Sequence, residues 1–237
     1  MSEKNVSVVT GASKGIGRAI SLKLANEGHL LSLFGRNESE LKSLAKEVNE
    51  IGSEAIYFVG DVADKKFVEN SIEETINKFN RIDNLINNAG SAVFKKFIDS
   101  ELEEFQRQID TNVYGVYNFT KAVLKNMIEM KSGTIINIAS LAGKNGFVGG
   151  TMYTATKHAV MGFTKSLLLE VREYNIKVSA VCPGSVSTEM ILNSPMAPLN
   201  IDKILTPNDI AEVVSLIINL PISANLSELD IRPTNPK

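Results

Sequence analysis

The sequence predicts an α/β protein: a doubly wound parallel β-sheet with helices on both faces. Short β-branched runs alternate with longer segments of helical period. A glycine-rich turn separates the first strand from the first helix, and no repeat or low-complexity linker interrupts the alternation along 237 residues. A single domain is therefore expected.

In chain order, the apolar run Val6–Val9 is the first predicted strand, and Gly15–Asn26 follows as a helix with Ile16, Ala19, Ile20 and Leu24 on one face. Leu30–Phe34 reads as the second strand. Glu38–Ile51 reads as a helix with Asn37 as its N-cap and Leu41, Leu44, Ala45 and Val48 on its apolar side. Ala55–Val59 is a third strand, a helix begins near Asp64, and Asn84–Ile86 is a fourth strand. Two long apolar helices are expected at about Glu101–Met130, with a break, and at about Tyr153–Tyr174, on either side of a strand at Thr134–Ile138. A helix apolar nearly all round needs a second cover, from this chain or from a partner subunit. Lys177–Val181 and Leu226–Ile231 complete the strands. Between them, Thr188–Pro207 contains Pro195, Pro198 and Pro207, which argue against one continuous helix, so this stretch is the candidate substrate lid.

With 43% hydrophobic and 22% charged residues and a net charge of −2, the chain has no electrostatic reason to bind nucleic acid or an anionic membrane. The opening Met1-Ser2-Glu3-Lys4-Asn5 is too polar, and the run after it too short, for a signal peptide or anchor, so a cytoplasmic protein is expected. Cys182 is the only cysteine and reads as a core residue on a strand. No Cys, His and carboxylate cluster has metal-ligand spacing, so no metal is expected.

Chemistry first enters at Thr10-Gly11-Ala12-Ser13-Lys14-Gly15-Ile16-Gly17, between strand and helix. Glycines there let backbone N–H groups approach a pyrophosphate at the positive end of the helix dipole. The second strand ends in Gly35-Arg36, where Rossmann-like dinucleotide folds that use NAD place an acid for the ribose hydroxyls. A guanidinium instead suits a 2′-phosphate, and Lys14 can add a second positive charge. The cofactor expected from these residues is NADP(H). Pairing of Arg36 with Glu38 or Glu40 is the competing reading.

The turn Thr10–Gly17 resembles the cofactor motif of the short-chain dehydrogenase/reductase family. Asn87-Asn88-Ala89-Gly90, Asn112, Ser140, Tyr153-x-x-x-Lys157 and Pro183-Gly184 follow in that family's order. The resemblance runs from Val6 to about Thr188. It implies that Gly11, Ser13, Lys14, Gly15, Ile16 and Gly17 hold the cofactor with Arg36. Asp61 and Val62 would contact adenine, although Asp61 could equally serve as an N-cap. It further implies that Asn88, Ala89 and Gly90 line the ribose, with Pro183, Gly184, Val186 and Thr188 beside the nicotinamide.

Reducing a ketone requires an acid beside the carbonyl oxygen and a group that polarises it. Tyr153 and Lys157, four apart on a helix, share one face. A neighbouring ammonium, helped by an oxidised nicotinamide, is expected to lower the phenol pKa from about 10. The resemblance assigns Tyr153 as acid and base, Ser140 as donor to the substrate oxygen, and Lys157 as tuner and ribose contact. Asn112 would hold a water that links the lysine to solvent. His29 and His158 fall outside this group.

The expected substrate is a small carbonyl or alcohol. One alternative is a 3-oxoacyl thioester on acyl carrier protein, because Lys131 and Arg172 stand near where carrier-protein reductases present basic residues. The tail Asp230–Lys237 departs from the Gly-Gly ending of many such reductases and is similar to the tails of sepiapterin-reductase-like and 3-hydroxy-acid-dehydrogenase-like members. A non-catalytic dinucleotide sensor is the alternative from another class. The resemblance also implies a homodimer or homotetramer.

Overall fold

A computed structural model of the chain describes residues 4–198 and 200–235. The expectations that touch Met1–Glu3, Leu199, Pro236 and Lys237 lie outside the described residues.

Seven strands form one parallel sheet: β1 (Val6–Thr10), β2 (Leu30–Gly35), β3 (Ala55–Val59), β4 (Asn84–Asn87), β5 (Gly133–Ile138), β6 (Ile176–Pro183) and β7 (Glu228–Ile231). Their order is β3-β2-β1-β4-β5-β6-β7, so the winding reverses between β1 and β4. That reversal opens a crevice at the carboxyl ends of the strands, where ligands bind in open α/β sheets.

The inner strands β1, β2, β4, β5 and β6 are buried on both faces because consecutive residues face opposite layers. Val9, Leu33, Ile86 and Ile136 face one layer; Val8, Phe34, Leu85 and Ile135 face the other. The first layer is covered by α1 (Gly15–Asn26), α2 (Glu38–Glu50) and α8 (Pro207–Asn219). The second is covered by α3 (Lys65–Phe79), α5 (Gly115–Met130) and α6 (Thr151–Val171). Of two short helices, α4 (Leu102–Ile109) packs against α6, and α7 (Glu189–Leu192) lines the crevice.

The elements expected from periodicity are present with ends shifted by at most three residues. The break expected inside Glu101–Met130 is a π-helical turn at Asp110–Tyr114, which contains Asn112. Thr188–Pro207 is not one helix: α7 and a 3₁₀ turn at Ile201–Lys203 occupy it. Its base is closed by a bridge between Val186 and Leu205. Helix α8 was not expected, although Thr206-Pro207-Asn208-Asp209 announces it. Thr206 and Asp209 form a reciprocal capping box with proline in the first turn.

Candidate active site

The crevice is sewn together at its centre. Asn88 Nδ2 donates to the carbonyls of Thr10 (2.9 Å) and Gly11 (3.1 Å), and Thr10 Oγ1 accepts from the N–H groups of Asn88 and Ala89. Glycine is obligatory beside this stitch. A Cβ on Gly17 would lie 2.2 Å from the Gly11 carbonyl oxygen, and Gly11 itself has φ +62° with Ala89 Cα 2.9 Å from where its Cβ would be. The loop therefore lies close against the ends of β1 and β4, and Gly17 is a packing glycine within it.

At the start of α1 the first N–H groups are left open. Lys14, the N-cap residue, makes no side-chain cap, and the first turn carries no acid. Helices α2 and α3, in contrast, are capped by Asn37 and Asp64. An uncapped positive helix end facing a cleft fits the donor set of an anion, and a pyrophosphate is such a group. Arg36 is exposed at the lip of the same cleft and makes no ion pair among the described residues, so the competing pairing with Glu38 or Glu40 is absent there. Lys14 instead pairs with Glu189, the first residue of α7. The N-cap of α3 is Asp64, and Asp61 takes a turn contact from Ala63 N at 2.9 Å while lining the cleft.

The cleft has a volume of about 1280 Å³ and runs from Arg36 past the glycine loop to Tyr153 and Thr188. Every site residue expected from the sequence lines it except Gly17 and Asn112. Asn112 lies behind the wall with its side chain fully engaged. Its Oδ1 accepts from Ser91 N (2.8 Å), while Nδ2 donates to Ser91 O and to Thr156 Oγ1, both at 2.9 Å. The side chain therefore clamps the π turn to α6 one residue before Lys157.

Ser140 follows β5 and bonds Ala142 N, which starts a 3₁₀ turn. Its hydroxyl also meets Tyr153. Lys157 crosses beneath: its Nζ donates to Ile138 O at 2.9 Å and stands 5.7 Å from the centre of the Tyr153 ring. Tyr153 is partly open to the cleft by surface area, yet enough protein surrounds it that burial pushes its phenol up to about 12, with the Ser140 hydrogen bond pulling the other way. Burial likewise brings Lys157 down to about 8. In the free protein burial thus outweighs the Ser140 hydrogen bond, and the phenol is raised where the sequence led us to expect it lowered.

Sequence reasoning did not single out Phe94 or Thr156. Phe94 packs edge-on against Tyr153, with ring centres 5.4 Å apart, and touches Phe147. Both aromatics belong to irregular loops, where periodicity carries no signal. Thr156 bonds Tyr153 O as well as Asn112. The remaining candidates stand apart from the cleft. His29 is buried against Ser7 Oγ (2.8 Å), exposed His158 bonds Thr154 O, and Cys182 is a core residue whose thiol burial raises to about 11. Lys131 and Arg172 end α5 and α6, where the chain turns into β5 and β6, so within one chain they lie at the opposite end of the sheet from the cleft. Among the described residues no three His, Cys, Asp or Glu side chains gather as a metal site, and no helix is long and apolar enough to cross a membrane.

Comparison with known proteins agrees with this arrangement. The family model described as short chain dehydrogenase matches residues 5–196. An uncharacterised oxidoreductase of Staphylococcus saprophyticus is 35% identical over 98% of both chains. A 3-oxoacyl-[acyl-carrier-protein] reductase of Synechocystis is 36% identical over 94% of this chain and 92% of the relative. Among solved structures, an alcohol dehydrogenase of the archaeon Thermococcus sibiricus, complexed with 5-hydroxy-NADP, superimposes with a TM-score of 0.91 at 30% identity, covering 98% of this chain and 97% of that one.

Proposed function

The chain belongs to the short-chain dehydrogenase/reductase family of oxidoreductases, and from that premise we propose that it reduces a ketone, or oxidises the corresponding secondary alcohol, with NADP(H) and with Tyr153 as acid and base. The observation that carries this reading is the continuity of one cleft from an open α1 N-terminus and an Arg36 with no ion pair among the described residues to Ser140 and Tyr153 above Lys157. The nicotinamide, when bound, supplies or accepts the hydride.

Each residue then has a task that follows from its surroundings. Arg36 can clamp a 2′-phosphate with paired N–H donors, and the α1 amides can receive the pyrophosphate. Ser140 and Tyr153 donate to the carbonyl oxygen and so favour the charge that develops there. Tyr153 then gives its proton to that oxygen, and a buried phenol with a raised pKa is fully protonated for the purpose at neutral pH. Lys157, held by Ile138 O, places a positive charge under the ring when protonated and so favours return of Tyr153 through phenolate. Asn112 and Thr156 act as positioning residues for that segment of α6. Within this reading the active unit is a single domain that assembles as a homodimer or homotetramer.

A second reading, reduction of 3-oxoacyl groups carried on acyl carrier protein, is favoured by the Synechocystis relative. Both readings meet one assay: NADPH oxidation with an acetoacetyl thioester beside free ketones and diketones. Turnover of the free carbonyls well above the thioester supports the first reading; the reverse supports the second. Tyr153→Phe is expected to lower kcat by about 10²–10⁴ with NADPH binding retained. Unchanged turnover in that variant would overturn the assignment, and NADPH binding without reduction of any carbonyl would indicate a sensor.

A further inference from the structure

The chain beyond β7 forms part of the cleft wall. Ile231 pairs with Pro183, and its carbonyl accepts from Gly184 N at 2.8 Å, so Arg232 and Pro233 leave the sheet level with the cleft. A Cβ on Gly184 would sit 3.7 Å from Pro233 and 3.5 Å from Leu141, the residue after Ser140. Arg232 thus lines the cleft at the Ser140 end, far along the sheet from Arg36, which follows β2.

The charges around this tail do not balance. Two carboxylates, Glu228 and Asp230, face three cations. Lys144 bonds both carboxylates, Lys165 reaches Glu228 at 3.3 Å, and Arg232 is left with a 3.8 Å contact to Asp230. Lys144 stays charged, since its two carboxylate hydrogen bonds outweigh the burial that opposes them and raise its pKa well above the ordinary lysine value. The surplus is one positive charge, and the loosely held member is the Arg232 guanidinium, with 60% of its side chain exposed. Of the carboxylates that line the cleft, Glu189 is taken by Lys14, and Glu40 and Asp61 stand at the Arg36 end, so among the described residues none is left in the cleft to neutralise it. The neighbouring wall carries the apolar side chains of Leu141, Phe94, Phe147 and Met196 beside the polar Asn145 and Ser185.

We propose that Arg232 is a substrate-binding residue and that the substrate is an oxo acid, whose carboxylate it holds while the carbonyl lies at Ser140 and Tyr153. This rests on the reading of Ser140 and Tyr153 as the reacting end. A guanidinium presents parallel N–H donors that match a carboxylate, and the apolar side chains of the wall leave the rest of a short carbon chain dry.

The test compares pyruvate, acetoacetate and 4-oxopentanoate with their methyl esters, in NADPH turnover by the wild type, Arg232→Gln and Arg232→Lys. Calorimetric binding of the same pairs to Tyr153→Phe loaded with NADPH provides a readout without turnover. At least one acid is expected to exceed its ester by about 10–100-fold in kcat/KM and in affinity, the range for a charge-assisted contact. Arg232→Gln should erase that ratio by raising KM for the acid, with ester kinetics and the KM for NADPH within about twofold of wild type, and Arg232→Lys should restore part of it. Acids and esters handled alike, in turnover and in binding, would overturn the proposal, as would an acid preference that survives Arg232→Gln. Acid-selective binding in a protein that reduces nothing, or in which Tyr153→Phe turns over normally, would sink the catalytic reading and leave the anion site standing.

Discussion

Burial acts in opposite directions on Tyr153 and Lys157, and the pH dependence of turnover follows from the difference. With its phenol near 12, Tyr153 remains a proton donor throughout the neutral range, whereas Lys157, near 8, loses its ammonium as the solution turns alkaline. The expected profile of kcat/KM for ketone reduction is therefore flat below about pH 8 and descends above it, because that profile reports groups of the free enzyme. A profile without a descending limb between pH 7 and 9 would show that the Lys157 ammonium does not assist Tyr153. Arg36 gives a second prediction. With no ion pair among the described residues to break, Arg36→Ala should act almost wholly through the lost phosphate contact. The ratio of kcat/KM for NADPH over NADH should fall about tenfold or more. At this scale the sequence was most informative where chemistry demands a particular side chain at a particular spacing, as in Tyr153 and Lys157. Least legible were the partners. That Lys14 turns to Glu189, or that Phe94 reaches Tyr153, depends on loops from distant parts of the chain.

Helix α8 shows how an element can be held by a residue that no local pattern reveals. Lys177, buried on β6, donates to the carbonyls of Ile217, Ile218 and Leu220, which satisfies the open C-terminal end of α8. Burial lowers the pKa of this lysine, yet among the described residues no backbone N–H outside the helix reaches its three acceptors. Lys177→Met should cost about 1–3 kcal/mol in urea unfolding, the range for buried acceptors left unpaired. An unchanged midpoint would show that water replaces the ammonium. The strands and the amphipathic helices were legible because each buries residues with a regular period. Helix α8 went unread for the converse reason: it follows a proline-rich stretch, and its capping box is a three-residue signal beside a long irregular one. The π turn at Asp110–Tyr114 appeared only as a break, since the clamp that stabilises it, Asn112 on Ser91 and Thr156, joins three separate segments.

Across the whole molecule, the two ends of the sheet have different uses. The cleft occupies the carboxyl ends, while the opposite end holds a buried polar group in which His29 Nδ1 meets Ser7 Oγ and Asp83 is paired with Arg81. Burial lowers the His29 pKa below its ordinary 6.5, against opposing pulls from Glu27 and Asp83. The unfolded chain therefore takes up this proton first, and the stability His29 contributes above about pH 6.5 is lost as pH falls through its lower folded value. The melting temperature should drop between pH 7 and 5, and less so in His29→Gln; equal drops would acquit the histidine. Ile98 in the 3₁₀ turn before α4, Leu102 on α4, Tyr117 on α5 and Leu169 on α6 are exposed, with 88% for Ile98, and they are apolar side chains of the kind that a second subunit buries. Light scattering should accordingly give two or four chain masses. One contact bears on time rather than on structure. Because Thr188 packs its methyl over Gly15 and Glu189 grips Lys14, the start of α7 roofs the phosphate loop. A substrate that drew this roof shut first would bar the dinucleotide, so binding should be compulsory in order, with nucleotide first on and last off. Product inhibition would then be competitive only between NADPH and NADP+.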